Sequence, residues 1–111
     1  MANTTLDDIL EELNMPTCIG SWQEDEIVPD EPYLEYHRQD ADDVAGDDGI
    51  AAKRDIWELS LYGKQKDAFA FWGKMNDLED VLDARRLSYS RSGDILFDDC
   101  MYCVYTMTLP R

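Results

Sequence analysis

Ile50-Ala51-Ala52-Lys53-Arg54-Asp55-Ile56-Trp57-Glu58-Leu59-Ser60-Leu61-Tyr62 is the run that decides the fold. In its second half Trp57, Leu59 and Leu61 alternate with Glu58 and Ser60, the period of two expected of a strand with one covered face. Gly63 is expected to end it. A helix follows from about Asp67 to Ala84, where Phe71, Met75, Leu78 and Leu82 form one stripe with Trp72, Glu79 and Arg86 beside it. Gly73 weakens the early turns by about 1 kcal/mol relative to Ala, so packing is expected to hold Phe69, Phe71 and Trp72.

Upstream, Leu6, Ile9, Leu10 and Leu13 fall at helical spacing, with Asp7, Asp8, Glu11 and Glu12 opposite. Thr4 or Thr5 can cap this helix, and it should stop at Asn14, before Pro16. A short strand is expected over Thr17 to Trp22, a loop over Gln23 to Glu31, and a second strand from Pro32 through His37. Downstream, Leu87, Tyr89 and Arg91 read as a short strand, Ser92-Gly93-Asp94 as a turn, and Cys100 to Leu109 as the last strand. The order α-β-β-β-α-β-β implies a single α+β domain over residues 1–111. It is expected to be a two-layer sandwich, with a mostly antiparallel sheet of four to five strands and both helices on one face.

Charge is distributed unevenly. Residues 1–48 hold 15 acids against one base, whereas residues 49–111 hold 10 acids against 9 bases. Asp40 to Asp48 contain five acids and no base, between two strand-like runs, and are expected to form a displayed acidic loop. A net charge of −15 argues against nonspecific binding to nucleic acid or anionic membranes, which needs clustered Lys and Arg. No run approaches the roughly 20 apolar residues that span a bilayer. Met1 to Thr5 carry neither a basic region nor an apolar core, so no signal peptide is expected. Three cysteines suit reduced thiols in a cytoplasmic compartment better than a disulfide framework.

Catalytic and metal motifs are weak. Cys100-Met101-Tyr102-Cys103 matches C-x-x-C, but it lies in a strand-like run, where residues three apart face opposite sides, and only Cys18 and His37 remain to complete a zinc set. The EF-hand pattern fails in every register of the acidic stretch, which leaves an irregular calcium site or a solvated or partner-facing loop. His37, the single histidine, reads as a surface residue at a strand end, with no nucleophile paired to it in sequence. Ser21, Ser60, Ser88, Ser90 and Ser92 lie in no G-x-S-x-G context. Gly46 and Gly49 sit among aspartates that would repel phosphate. No enzyme is expected and no cofactor is implied. Phe69, Phe71, Trp72, Tyr89, Tyr102 and Tyr105 are core candidates, any excess marking a protein interface.

Most of Pro32 to Leu109 resembles the small tail-completion, or tail-terminator, proteins of long-tailed bacteriophages and prophages. The resemblance is carried by Pro32-Tyr33-Leu34-Glu35-Tyr36, the stretch Asp42-Asp43-Val44-Ala45-Gly46-Asp47-Asp48, and Trp57-Glu58-Leu59-Ser60-Leu61-Tyr62 with Lys66-Asp67. It continues in Leu78-Glu79, Leu82-Asp83, Leu87-Ser88-Tyr89 and Met101-Tyr102-Cys103-Val104-Tyr105. The aromatic helix start Ala68 to Gly73, and Cys103 at a commonly polar position, depart from it. The resemblance implies a non-enzymatic virion protein of the tail or neck, assembled in the bacterial cytoplasm. It would form a homo-oligomeric ring, typically a hexamer, on the end of the tail tube, stop tube polymerisation and dock head-closure or neck proteins, with DNA passing through unbound.

In such a ring Asp40, Asp42, Asp43, Asp47 and Asp48 would contact a neighbouring subunit or line the lumen. Lys64, Lys66, Arg85 and Arg86 would belong to the unlike surface they meet. Two other classes compete. One is an acidic inhibitor or DNA mimic that occupies a basic site on a partner; the other is a metal-binding module using Cys18, His37, Cys100 and Cys103.

Overall fold

The computed structural model describes residues 6–19, 32–46 and 49–110, and for 40–46, 49–54 and 110 the backbone path alone. The fold is α+β: α1 (Leu6–Leu13), β1 (Thr17–Ile19), β2 (Tyr33–Gly46), β3 (Gly49–Lys64), α2 (Ala68–Ala84), β4 (Ser88–Arg91), β5 (Ile95–Phe97) and β6 (Cys100–Pro110). The strands form one mixed six-stranded sheet, ordered β1-β2-β3-β6-β4, with β5 also on β6. All pairs are antiparallel except β1 with β2, which run parallel.

Alternation makes the layers. Along β6, Met101, Cys103, Tyr105, Met107 and Leu109 are buried while the residues between them are not. The register carries this face across the sheet, since Cys103 lies opposite Leu61, which lies opposite Leu34, and Tyr105 lies opposite Leu59. Leu6, Ile9 and Leu13 of α1 join Phe71, Leu78, Val81 and Leu82 of α2 on this face in one core. Asn14 follows α1 with φ 50, the left-handed conformation that stops a helix. Arg85, the residue that follows α2, donates to Glu12 of α1 at 2.7 Å, tying the two helices together at their surface.

The sheet has six strands rather than four to five, because Ile95–Phe97 add one between β4 and β6 in chain order, and three stretches depart from the expectation. First, Gly63 does not end β3. It pairs with Met101 inside the sheet, and a Cβ there would sit 3.0 Å from Phe71 Cβ and Cδ2. It is the position where α2 lays its first buried aromatic against the strand.

Second, Ser92-Gly93-Asp94 is not a hairpin turn. β4 and β5 run in the same direction along the same edge of β6, and four steps from Arg91 to Ile95 face three from Tyr105 to Tyr102. The segment is a bulge, held by Ser92 N–H to the Val104 carbonyl at 2.9 Å and by Val104 N–H to Ser92 Oγ at 2.9 Å. The reversal comes at Asp98-Asp99, between Phe97 and Cys100, where Asp98 has φ 53.

Third, Asp40–Gly46 is not loop but strand. β2 and β3 pair from Tyr33↔Tyr62 to Gly46↔Gly49, with an irregularity between Arg38 and Asp40. The register sets Asp42 opposite Arg54 and Asp43 opposite Lys53, so a run of acids poor in strand propensity meets bases across the ribbon. The expected loop at Gln23–Glu31, the last residues of the first strand expectation, and Asp47 and Asp48 lie outside the described residues.

Candidate interaction site

Described pairing of β3 with β6 reaches as far as Arg54, opposite Pro110, and beyond it the described β2–β3 hairpin continues as a two-stranded ribbon. Such a ribbon alone in water is marginal, and among the described residues it has no third strand or helix to bury against. Asp43 lies on this ribbon and Asp42 at its root, opposite Arg54, whereas Asp40 is inside the sheet, opposite Ile56, which itself pairs with Thr108 of β6. Lys53 is on it too and Arg54 at its root, opposite Asp43 and Asp42, so the acidic stretch is less one-sided than its own nine residues imply.

The opposite end of the sheet has different chemistry. β3 rises about 50 Å over its 16 residues, which puts Lys64 far from Gly49. Beside Lys64 lie the start of α2 and the β5–β6 turn, joined by Gln65: its backbone N–H donates to the Asp99 carbonyl at 2.8 Å, and its side-chain amide donates to the carbonyls of Asp98 at 2.8 Å and Cys100 at 3.0 Å.

Several large apolar side chains are bare at this end. Phe69 is 87% exposed, Phe97 67% and Leu96 63%, with Ile95 and Trp72 less so. The rings of Phe69 and Trp72 meet edge to face at 5.7 Å, and Trp72 Nε1 donates to Asp94 Oδ2 at 3.0 Å, which ties the helix start to β5. Phe69 is therefore not held in the core, contrary to the expectation for the helix start. It lies two residues before Phe71, on the other side of the helix from the stripe that Phe71 begins, and only Phe71 and its helical repeats face the sheet.

The four basic candidates divide between the ends of α2. Lys64 is half-buried, with Nζ 3.9 Å from Cys100 Sγ, and Lys66 is exposed; both lie at the apolar end. Arg85 is engaged with Glu12, and Arg86, with φ 56, is exposed at the other end of the helix. No one surface gathers all four.

Residues expected to carry other chemistry are also separated. Cys103 is buried in the core and its thiol is pushed up to about 11 by burial, while Cys100 is on the opposite face of the same strand. Cys18, His37, Cys100 and Cys103 do not converge on one point. His37 is mid-strand rather than at a strand end, exposed, with Nε2 3.9 Å from Glu58 Oε1.

The face away from the helices carries a feature missed in sequence. Tyr33, Tyr62 and Tyr102 occupy one rung across β2, β3 and β6, and their rings stack at 5.2 and 5.1 Å. Partial burial, together with Glu35, raises Tyr33 to about 12 and Tyr62 in the same direction. The available signal was that each tyrosine alternates with a core residue; the register that aligns them was not visible.

No helix among the described residues is long and apolar enough to cross a membrane. Comparison with protein-family models and with curated proteins finds no match to this chain.

Proposed function

We propose that this chain is a structural, non-enzymatic tail-completion protein, which assembles as a homo-oligomeric ring on the end of a phage tail tube. The ring would stop tube polymerisation and offer a docking surface to head-closure or neck proteins. The resemblance of Pro32 to Leu109 to that family motivates the reading. The single structural observation that supports it best is the β2–β3 ribbon, which has no third strand among the described residues and so calls for a neighbour. A ring uses heterologous contacts, in which one patch meets a different patch of the next copy. This molecule has a charged ribbon at one end and an apolar patch at the other.

A hexamer and a virion location follow from the resemblance alone. The acidic-mimic alternative is weakened by the pairing of Asp42 and Asp43 with Arg54 and Lys53, since a phosphate mimic needs carboxylates without counter-charges among them.

The test is electron microscopy of tail tubes incubated with the purified protein, alongside light scattering of the protein alone. Rings capping tube ends are expected, and the variant with Asp42, Asp43, Asp47 and Asp48 all changed to Asn should lose capping or genome passage. A wild-type chain that neither oligomerises nor caps tubes would sink the proposal.

A further inference from the structure

Several strand edges of this sheet have no partner among the described residues, those of β1 and β4 included, and two of them lie at opposite ends. The first is the outer edge of β3 in the ribbon, residues 49–53, because pairing with β6 begins only at Arg54. The second is the outer edge of β5, which pairs with β6 on one side alone.

Exposed edges are normally blunted with Lys, Pro or charge directed inward. Ile95-Leu96-Phe97 has none of these devices and is instead wholly apolar and exposed. Leu96 lies opposite Met101, on the helix side of the sheet, where Phe69 and Trp72 add further bare aromatic surface. An apolar, undefended edge beside exposed aromatics is the composition of a protein interface.

The charges flanking β5 restrict what can pair with it. Asp94 precedes the strand, and Asp98 and Asp99 follow it. Two copies of β5 paired antiparallel about Leu96 would set Asp94 of one against Asp98 of the other at both ends. Like charges directly opposite are destabilising, so two-fold self-pairing is disfavoured. A fitting strand has a small apolar run and basic residues beside it. The free edge of β3 is such a strand: Ile50-Ala51-Ala52 followed by Lys53-Arg54.

We propose that the free edge of β3 in the ribbon of one copy pairs with the free edge of β5 of a second copy, so that the sheet continues from subunit to subunit. This rests on the ring reading and specifies its contact. Backbone hydrogen bonds supply a common docking mode, the Lys53–Arg54 pair meets the acids flanking β5, and Phe69, Trp72 and Leu96 supply apolar area. Because the paired edges lie at opposite ends of one chain, the contact is head to tail and repeats.

The test uses two variants of the whole chain, Leu96→Lys and the double change Lys53→Glu with Arg54→Glu, each checked for a native circular dichroism melt. Light scattering of each alone should show association weakened at least tenfold relative to wild type. An equimolar mixture should give a 1:1 dimer and nothing larger, since each variant retains the edge the other lacks. Wild-type-sized oligomers from Leu96→Lys, whose position is exposed, would overturn the β3–β5 contact while leaving the ring reading intact. A wild-type chain that stays monomeric and leaves tube ends uncapped would overturn both. If the double variant fails to fold, the result for Leu96→Lys decides alone.

Discussion

The hydroxyl of Tyr105, a residue with no solvent exposure, donates a 2.7 Å hydrogen bond to Oε2 of Glu79 on α2. The same oxygen is held by Arg91 Nε at 3.2 Å. A polar link thus runs from the middle of β6 through the helix to the β4 edge. Its members depend on one another, because a buried hydroxyl stripped of its acceptor costs more than one removed altogether.

Glu79→Ala, which orphans the Tyr105 hydroxyl, is expected to cost about 1–3 kcal/mol. Tyr105→Phe should cost about 1–2 kcal/mol, and the double variant less than the two single costs added. A double-mutant cycle from urea unfolding checks this; strict additivity would show that the two side chains are not coupled.

Stability should fall in alkali. Burial pushes the Cys103 thiol up to about 11, and burial with the Glu79 hydrogen bond raises Tyr105 well above its ordinary 10.0. Between pH 9 and 12 the unfolded chain therefore loses these protons before the native one does. It binds fewer protons, so stability decreases as pH rises. The contribution is complete below about pH 9 and fades above it. Thermal melts across this range should show the decline, and Cys103→Ala should make its first part shallower.

Gly63 and Gly73 should respond oppositely to alanine. Gly63→Ala drives a methyl against Phe71 at 3.0 Å and is expected to destabilise by about 1–3 kcal/mol. Gly73→Ala meets nothing within 4 Å on an exposed helical turn and should stabilise by about 0.5–1 kcal/mol. Equal effects in chemical denaturation would contradict the placement of α2 on β3.

Phe69 and Phe71, two residues apart, should separate just as sharply. Phe71→Ala empties a fully buried site and is expected to cost about 3–5 kcal/mol. Phe69→Ser should alter stability by no more than about 0.5 kcal/mol, yet weaken self-association read by light scattering. A stability loss at Phe69 comparable to that at Phe71 would place it in the core.

How far the fold was legible depended on local pattern. The helix expected over Asp67 to Ala84 appears as Ala68–Ala84, and the strand expected from Ile50 to Tyr62 as Gly49–Lys64, because each has a strong period of its own. β5 was missed: three apolar residues have no period, and the Ser-Gly-Asp before them has the composition of a turn as much as of a bulge. The ribbon was read as loop because Asp disfavours strands. Lys53 and Arg54, which sit across from Asp43 and Asp42, are ten or more residues away in the chain. Of the candidate site, Lys64 and Lys66 were legible as bases, but their apolar neighbours Leu96 and Phe97 were not, since proximity across a sheet is set by register.

By itself the chain determined two amphipathic helices, the long strands β3 and β6, an α+β class and an excess of acid in its first half. Those follow from spacing and composition, which act between near neighbours. The acidic stretch as half of a strand ribbon, the tyrosine rung, the space Gly63 leaves for Phe71 and the bare edge of β5 were decided only by tertiary structure. Each depends on which strand lies beside which, and in what register. A shift of one residue exchanges the two faces of every strand, so burial of the core selected that register and the surface features followed from it.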